Sequence, residues 1–253
     1  MADAITDSAS CDINMIRQRT MPFFRIAGMA EIVALDERVA GLLTSHNMDR
    51  DDRLQGSWPE AQDSANPRLP ACIGKIAACS QAWGHEQSRW FHDAGLARHL
   101  EAAAAFYAPC LKPDEPFPNN WWQWQVGMLY DLRNIFLFAG DALSSATWRN
   151  LSASFDYLCG KIWDYHASAN RMYVAFSLLG YGLSCLKADA LATASAWCAQ
   201  SAELVADPLR DPQGFRRDGS YQYHGPRINL GYGITHVSLL AQAAHILAQT
   251  RWA

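Results

Sequence analysis

Residues 121–140, WWQWQVGMLYDLRNIFLFAG, read as one helix running from Trp121 to about residue 139. Gly140 closes it in the position that glycine commonly takes after a helix. Asp141 then stands where it can cap a next helix reaching about Leu158. Working outward, a further helix is expected from Asn170 to near Leu186, and another over about 188–206, halted by Asp207-Pro208. The tail, about 231–249, returns to helical spacing with Ile234, Val237, Ala241, Ala244 and Ala248. Upstream, helical segments are expected at about 71–84 and 90–108. Apolar spacing is also helical from about Ile13 to Leu43, with Pro22 as a break or a fresh start. There, Met29, Ile32, Leu35, Val39, Leu42 and Leu43 fit a stripe of period about 3.6. Residues 47–70, with Pro59, Pro67 and Pro70, read as a long loop, and 207–230 as the one other region that is not helical. Helices in succession with little strand signal predict an all-α domain of antiparallel helical hairpins, 1–253, without a linker.

Composition bounds what such a domain can do. The chain has 253 residues, half of them hydrophobic and 18% charged, so it can bury a sizeable core. Mean hydropathy is −0.15, and no apolar run is long enough to span a membrane. A formal charge of −4 gives no basic surface for nucleic acid. The seven cysteines are odd in number and contain no C-x2-C pair, so neither a full disulfide framework nor a zinc site is expected. Cys72 and Cys79 fall on one helical face and read as small buried hydrophobes. The N-terminus, MADAITDSAS, has no basic or apolar leader region, so no signal peptide is expected in this chain.

Common catalytic signatures are missing, with no G-x-S-x-G, H-E-x-x-H, Walker loop or G-x-G-x-x-G. Three segments stand out instead: Asn119 to Gly127 (NNWWQWQVG), Ala167 to Arg171 (ASANR), and Asp218 to Arg227 (DGSYQYHGPR) running on to Gly231-Tyr232-Gly233. Neighbouring residues on a helix point about 100° apart, so Trp121, Trp122 and Trp124 cannot share one core face. At least one should lie open at a helix mouth, where an indole can stack on the apolar face of a sugar ring. Asn170 reads either as a helix cap or as an amide donor to a substrate carboxylate. Arg171 reads most simply as a solvated charge. His224 lies in a polar, glycine-rich loop, and Tyr232 between two glycines has a hydroxyl with little cover. Arg216, Arg217 and Arg227 make that loop locally basic, which suits an anionic ligand.

Together these segments resemble polysaccharide lyase family 8, which contains the hyaluronate, chondroitin and xanthan lyases. NWW-x-W-x-x-G resembles its aromatic patch, SANR its T-G-A-N-R, and DGSYQYHGP…GYG its D-G-S-F-x-x-H…Y-G-x-Y-G. The resemblance is clearest over about 70–250. It implies a helical (α/α) toroid, here incomplete, followed in the family by β-sandwich domains, and cleavage of uronate-containing acidic polysaccharide by β-elimination. Asn170 would neutralise the uronate carboxylate, His224 would assist at C5, and Tyr232 would be the proton-transferring phenol. Asn120, Trp121, Trp122 and Arg171 would bind substrate. No metal or cofactor is implied, and family members are secreted or periplasmic.

The chemistry asks for these residue types. The C5 proton of a uronate is removable only if the carboxylate charge is offset, and a positioned amide and imidazole do this where charge develops. Either His224 or Tyr232 can take that proton. Three departures stand beside the resemblance. Gln125 replaces a common Glu, HGPRINLGYG replaces the usual His-to-Tyr segment, and the chain stops at Ala253, before the family's catalytic Arg and supporting Glu. A non-catalytic binder of acidic carbohydrate, derived from such a lyase, is therefore the alternative. An incomplete toroid is also expected to expose apolar surface between helices and to self-associate. The lyase reading requires Asn170, His224 and Tyr232 to meet.

Overall fold

The computed structural model describes residues 7–48, 55–59, 68–112, 120–161, 169–205, 213–222 and 228–253. The helices are α1 (Asp7–Phe24), α2 (Met29–Thr44), α3 (Leu69–Trp83), α4 (Ala94–Tyr107), α5 (Met128–Phe138), α6 (Ser145–Cys159), α7 (Ala169–Cys185), α8 (Ala188–Ala202) and α9 (Leu230–Leu247). Two-residue strands β1 (Gly214–Phe215) and β2 (Tyr221–Gln222) form an antiparallel hairpin. The fold is all-α, as the helical periodicities predict. The chain divides into two compact units, one over Arg25–Ile162 and the other combining Met1–Phe24 with Trp163–Ala253.

In the first unit α3 is packed against α2, α4 and α5, and α6 against α4 and α5. Ile73, Ile76, Leu129, Leu132 and Phe155 are buried at its centre. Cys72 and Cys79 are buried on α3, as their seven-residue spacing predicts. Burial pushes the Cys79 thiol up to about 12, so it stays protonated and behaves as a hydrophobe. Two helix ends differ from expectation. Gly140 does not close α5 in a left-handed turn; it opens a short 3-10 turn, Gly140–Ala142. A Cβ there would stand 3.1 Å from Cζ3 of Trp148, so glycine is set by that indole. Asp141 is not the cap of α6 either. Ser144 is, its Oγ accepting from the Thr147 amide at 3.2 Å.

In the second unit α7 packs along α8 and against α9, and α1 against α7 and α9. Arg17 donates to the Leu183 carbonyl at 2.7 Å, and Arg251 pairs with Asp12 at 3.0 Å. Pro22 lies inside α1 rather than breaking it, but the helix ends two residues later, as a lost amide donor near a C-terminus allows. The apolar stripe Ile234, Val237, Ala241 and Ala244 on α9 is helical as predicted, yet it faces solvent. The buried side of α9 carries His236, Ala243, Ile246 and Leu247 instead.

Candidate functional site

The aromatic segment belongs to the first unit. Asn120 sits just before the helix and is exposed; its Oδ1 accepts from the Trp122 amide at 3.0 Å, which satisfies one of the donors a helix start leaves open. The next residues, Gln123–Gly127, form a π turn before α5 continues. Such turns close i to i+5 and recur at functional positions. Here the turn brings Gly127 beneath Trp122. A Cβ on residue 127 would lie 3.2 Å from Cζ3 of that indole, so the closing glycine of the motif is what lets the ring lie down. Trp122 remains 38% exposed, Trp121 is half-buried and Trp124 is fully buried, which is the division the 100° argument requires.

Tyr130 was not singled out from the sequence. It lies three residues past Gly127, so it shares a side of the helix with the residue on which Trp122 rests. It is also 38% exposed, and its ring sits 3.5 Å over the guanidinium of buried Arg133. Arg133 in turn donates to Asn134 Oδ1 through Nε and one terminal nitrogen, at 3.1 and 2.8 Å. Beside it, burial raises Asp131 to about 6, against the opposing pull of Arg133 and Arg38. Spacing alone points away from Tyr130, because a regular helix would not align residues 122 and 130.

Gln125 has a specific reason to be an amide. It is fully buried, and its Nε2 donates to the Lys161 carbonyl at 2.9 Å. An ionised Glu would turn an oxygen toward that carbonyl.

The amide and phenol belong to the second unit. Asn170 lies inside the first turn of α7 and is 3% exposed, so it is not the cap residue. Tyr232 lies in the first turn of α9 and is 37% exposed, and its amide donates to the N-cap, Asn229, at 3.1 Å. One residue, Tyr221, holds both starts. Its hydroxyl accepts from the Ala169 amide at 3.0 Å. Its Cβ would be 3.1 Å from a Cβ on Gly233, so the second glycine of GYG lets α9 close onto it. Its backbone carbonyl accepts from Asn229 at 3.0 Å.

The same hydroxyl stands 3.4 Å from His236 Nδ1. Nε2 of His236 is 2.9 Å from the Ser201 carbonyl, which can only accept, so Nε2 carries the proton and Nδ1 is left as acceptor. Burial lowers the pKa of His236 and keeps it neutral. The sequence alone does not signal Tyr221 or His236 as a positioning group, although Tyr221 lies inside the DGSYQYHGP segment.

The loop before β2 is ordered by its Asp-Gly pair. Gly219 takes φ +81°, and Asp218 Oδ1 accepts from the Ser220 amide at 2.9 Å. That contact holds the Asp218 carboxyl below its usual range. Arg216 is buried and donates to Gln222 at 3.1 Å, so it braces the hairpin rather than adding to a basic surface. Arg171 is likewise buried: it donates to Gln200 at 2.6 Å, and its guanidinium lies 5.6 Å from the Trp197 ring centre. His224 and Arg227 lie outside the described residues. Among the described residues, no group of three or more His, Cys, Asp or Glu is placed to hold a metal, and no helix is long and apolar enough to cross a membrane.

The model of the polysaccharide lyase family 8 N-terminal alpha-helical domain matches residues 27–253. Among solved structures, the Streptomyces coelicolor A3 chondroitin AC lyase in complex with chondroitin sulphate superposes with a TM-score of 0.76 at 18% identity, covering 95% of this chain and 33% of that one. A Paenibacillus xanthan lyase gives 0.76 at 18% identity, covering 96% of this chain and 24% of that one. A chondroitinase AC lyase studied as oligosaccharide complexes gives 0.72 at 17%, with 96% and 34% covered. At these identities the likeness is one of fold, and the chain spans a third or less of the first two structures. No curated protein matches the sequence. The chain belongs to polysaccharide lyase family 8, through the α-helical N-terminal domain of that family.

Proposed function

We propose that this domain serves a lyase that cleaves a uronate-containing acidic polysaccharide, of hyaluronan, chondroitin or xanthan type, by β-elimination. The observation that carries the reading is the shared anchoring of Asn170 and Tyr232 on Tyr221. The amide of Asn170 offsets the uronate carboxylate as the C5–H bond breaks. The electron pair forms the C4–C5 double bond, the C4–O4 bond breaks, and O4 leaves with a proton. Tyr232 and His224 carry these proton transfers. Asn170 and Tyr232 also stand in the first turns of long helices, whose amide ends favour negative charge. Electrostatic contributions of this kind are worth about 3–4 kcal/mol each. Trp121, Trp122 and Asn120 bind the sugar chain, with Tyr130 as an added stacking surface.

The test is the ultraviolet absorbance of the unsaturated uronate product, measured on acidic polysaccharides with the protein and with Tyr232→Phe. Product formation that Tyr232→Phe abolishes supports the assignment, and unchanged turnover in that variant removes Tyr232 from it. A second reading, binding of acidic sugar without turnover, is favoured by the burial of Asn170 at 3% exposure. It requires saccharide binding that Trp121→Ala and Trp122→Ala remove, with no product at any pH.

A further inference from the structure

Tyr130 is an open ring with a buried cation behind it. It is 38% exposed, whereas Arg133, whose guanidinium lies 3.5 Å from the ring centre, is 1% exposed. One face of the ring is therefore covered, and its open surface is the other face and the edge. Both residues belong to α5, in the middle of the first unit, where that helix packs against α3 and α6. Trp122 rests on Gly127, one helical turn before Tyr130. A saccharide that stacks on Trp122 reaches Tyr130 with an adjoining sugar unit.

The charge beneath the ring is retained. A guanidinium stays protonated even where burial works against it, as it does here. Nε and one terminal nitrogen donate to Asn134 Oδ1 at 3.1 and 2.8 Å. That oxygen is neutral, so these bonds fix the group without cancelling its charge. An aromatic face is ordinarily negative and repels an anion. A cation on one side draws that density toward itself and leaves the opposite face less negative. Being buried, this cation is also screened less than a surface one, and its field acts across the ring.

Asp131 opposes the effect. Its Oδ2 stands 3.3 Å from where a Cβ on Gly74 of α3 would lie. Burial raises it to about 6, against the pull of Arg133 on its own helix and of Arg38 from α2. Ionised, it offsets part of the Arg133 charge; protonated, it does not.

We infer that Arg133, held beneath Tyr130, makes that ring a subsite selective for an anionic sugar unit over a neutral one. The inference rests on the proposed binding of sugar along Trp122 and adds what sets the charge preference there. Calorimetry of this chain with a hyaluronan hexasaccharide, and with the same hexasaccharide reduced from carboxylate to alcohol, tests it. At pH about 5.5 the acid form is expected to bind at least about fivefold tighter than the reduced form. The preference is expected to shrink at pH about 7.5, where Asp131 is ionised while the sugar carboxylate is charged at both pH values. Arg133→Met is expected to abolish the preference and keep the affinity for the reduced form. Asp131→Asn is expected to make the preference independent of pH. Tyr130→Leu, at an exposed position, is expected to weaken the acid form at least about threefold, and with Asp131→Asn it decides the matter if Arg133→Met does not fold. Equal binding of the two forms, weakened by Trp122→Ala, would overturn the inference and leave the sugar-binding reading standing. Binding of neither form would overturn both. A preference that survives in folded Arg133→Met, one that still varies with pH in Asp131→Asn, or unchanged binding by Tyr130→Leu would overturn the inference alone.

Discussion

Gln125→Glu tests why this chain carries an amide in its aromatic segment. The side chain is fully buried and donates to the Lys161 carbonyl at 2.9 Å. A glutamate in the same place has two states. Ionised, it opposes oxygen to oxygen in a buried site; protonated, its O–H replaces the lost donor. The fold therefore holds the carboxyl neutral and raises its pKa above the unfolded value of about 4.3. Such a raised value contributes stability that is full below pH about 4.3 and is lost as pH rises toward the folded value. If the acid stays neutral in the fold at pH 7, the deficit is about 1.4 kcal/mol for each unit between 4.3 and 7, or about 3–4 kcal/mol. Urea unfolding of both proteins at pH about 7 and about 4.5 reads this directly, with the deficit expected to fall below about 1 kcal/mol at the lower pH. A variant as stable as the wild type at pH 7, or a deficit that does not shrink on acidification, would refute the reasoning.

Tyr221→Phe removes the oxygen that accepts from the Ala169 amide and stands beside His236, leaving two buried polar groups short of a partner. A loss of about 2–4 kcal/mol is expected, with faster hydrogen exchange at Ala169, and unchanged exchange there would show that Tyr221 does not hold α7. Because the folded pKa of His236 lies below its ordinary value, the stability it contributes is full above pH about 6.5 and is lost as pH falls toward the folded value. His236→Gln should flatten the stability profile between pH about 7 and about 5.5, measured by thermal unfolding. Trp122→Ala, at a 38% exposed position, should leave the melting temperature nearly unchanged while weakening binding of an acidic oligosaccharide by about three- to tenfold in calorimetry.

What could be read ahead of the structure follows from which interactions are local. Helices over 69–83, 94–107, 145–159 and 169–185 announce themselves because burying one face of a helix imposes its period on the apolar residues. The partial exposure of the tryptophan cluster was legible for the same reason: three indoles at adjacent positions cannot all point inward. Helix ends were less so. Asp141 and Ser144 are both capable caps, and only tertiary packing, with Glu101 accepting from the Ser144 amide at 2.8 Å, selects between them. The roles of Arg171 and Arg216 were hidden because their partners, Gln200, Trp197 and Gln222, come from other elements. Tyr221 stands out in the sequence only as part of a motif, since its bonds reach Ala169 and His236, 52 and 15 residues away. The solvent-facing stripe of α9 shows the limit of periodicity, which reports that a face is apolar and not what covers it.

The π turn at Gln123–Gly127 acts as a phase slip in an otherwise regular rod. A helical wheel drawn straight through residues 121–138 goes out of step there, so faces assigned upstream of it do not continue downstream. Losing one residue from that turn would let the helix relax to its ordinary pitch with its two flanks still in phase, because a pair five apart in the wide turn becomes a pair four apart in the narrow one. The extra residue is thus absorbed by widening the turn beneath Trp122, where Gly127 leaves the space the indole fills.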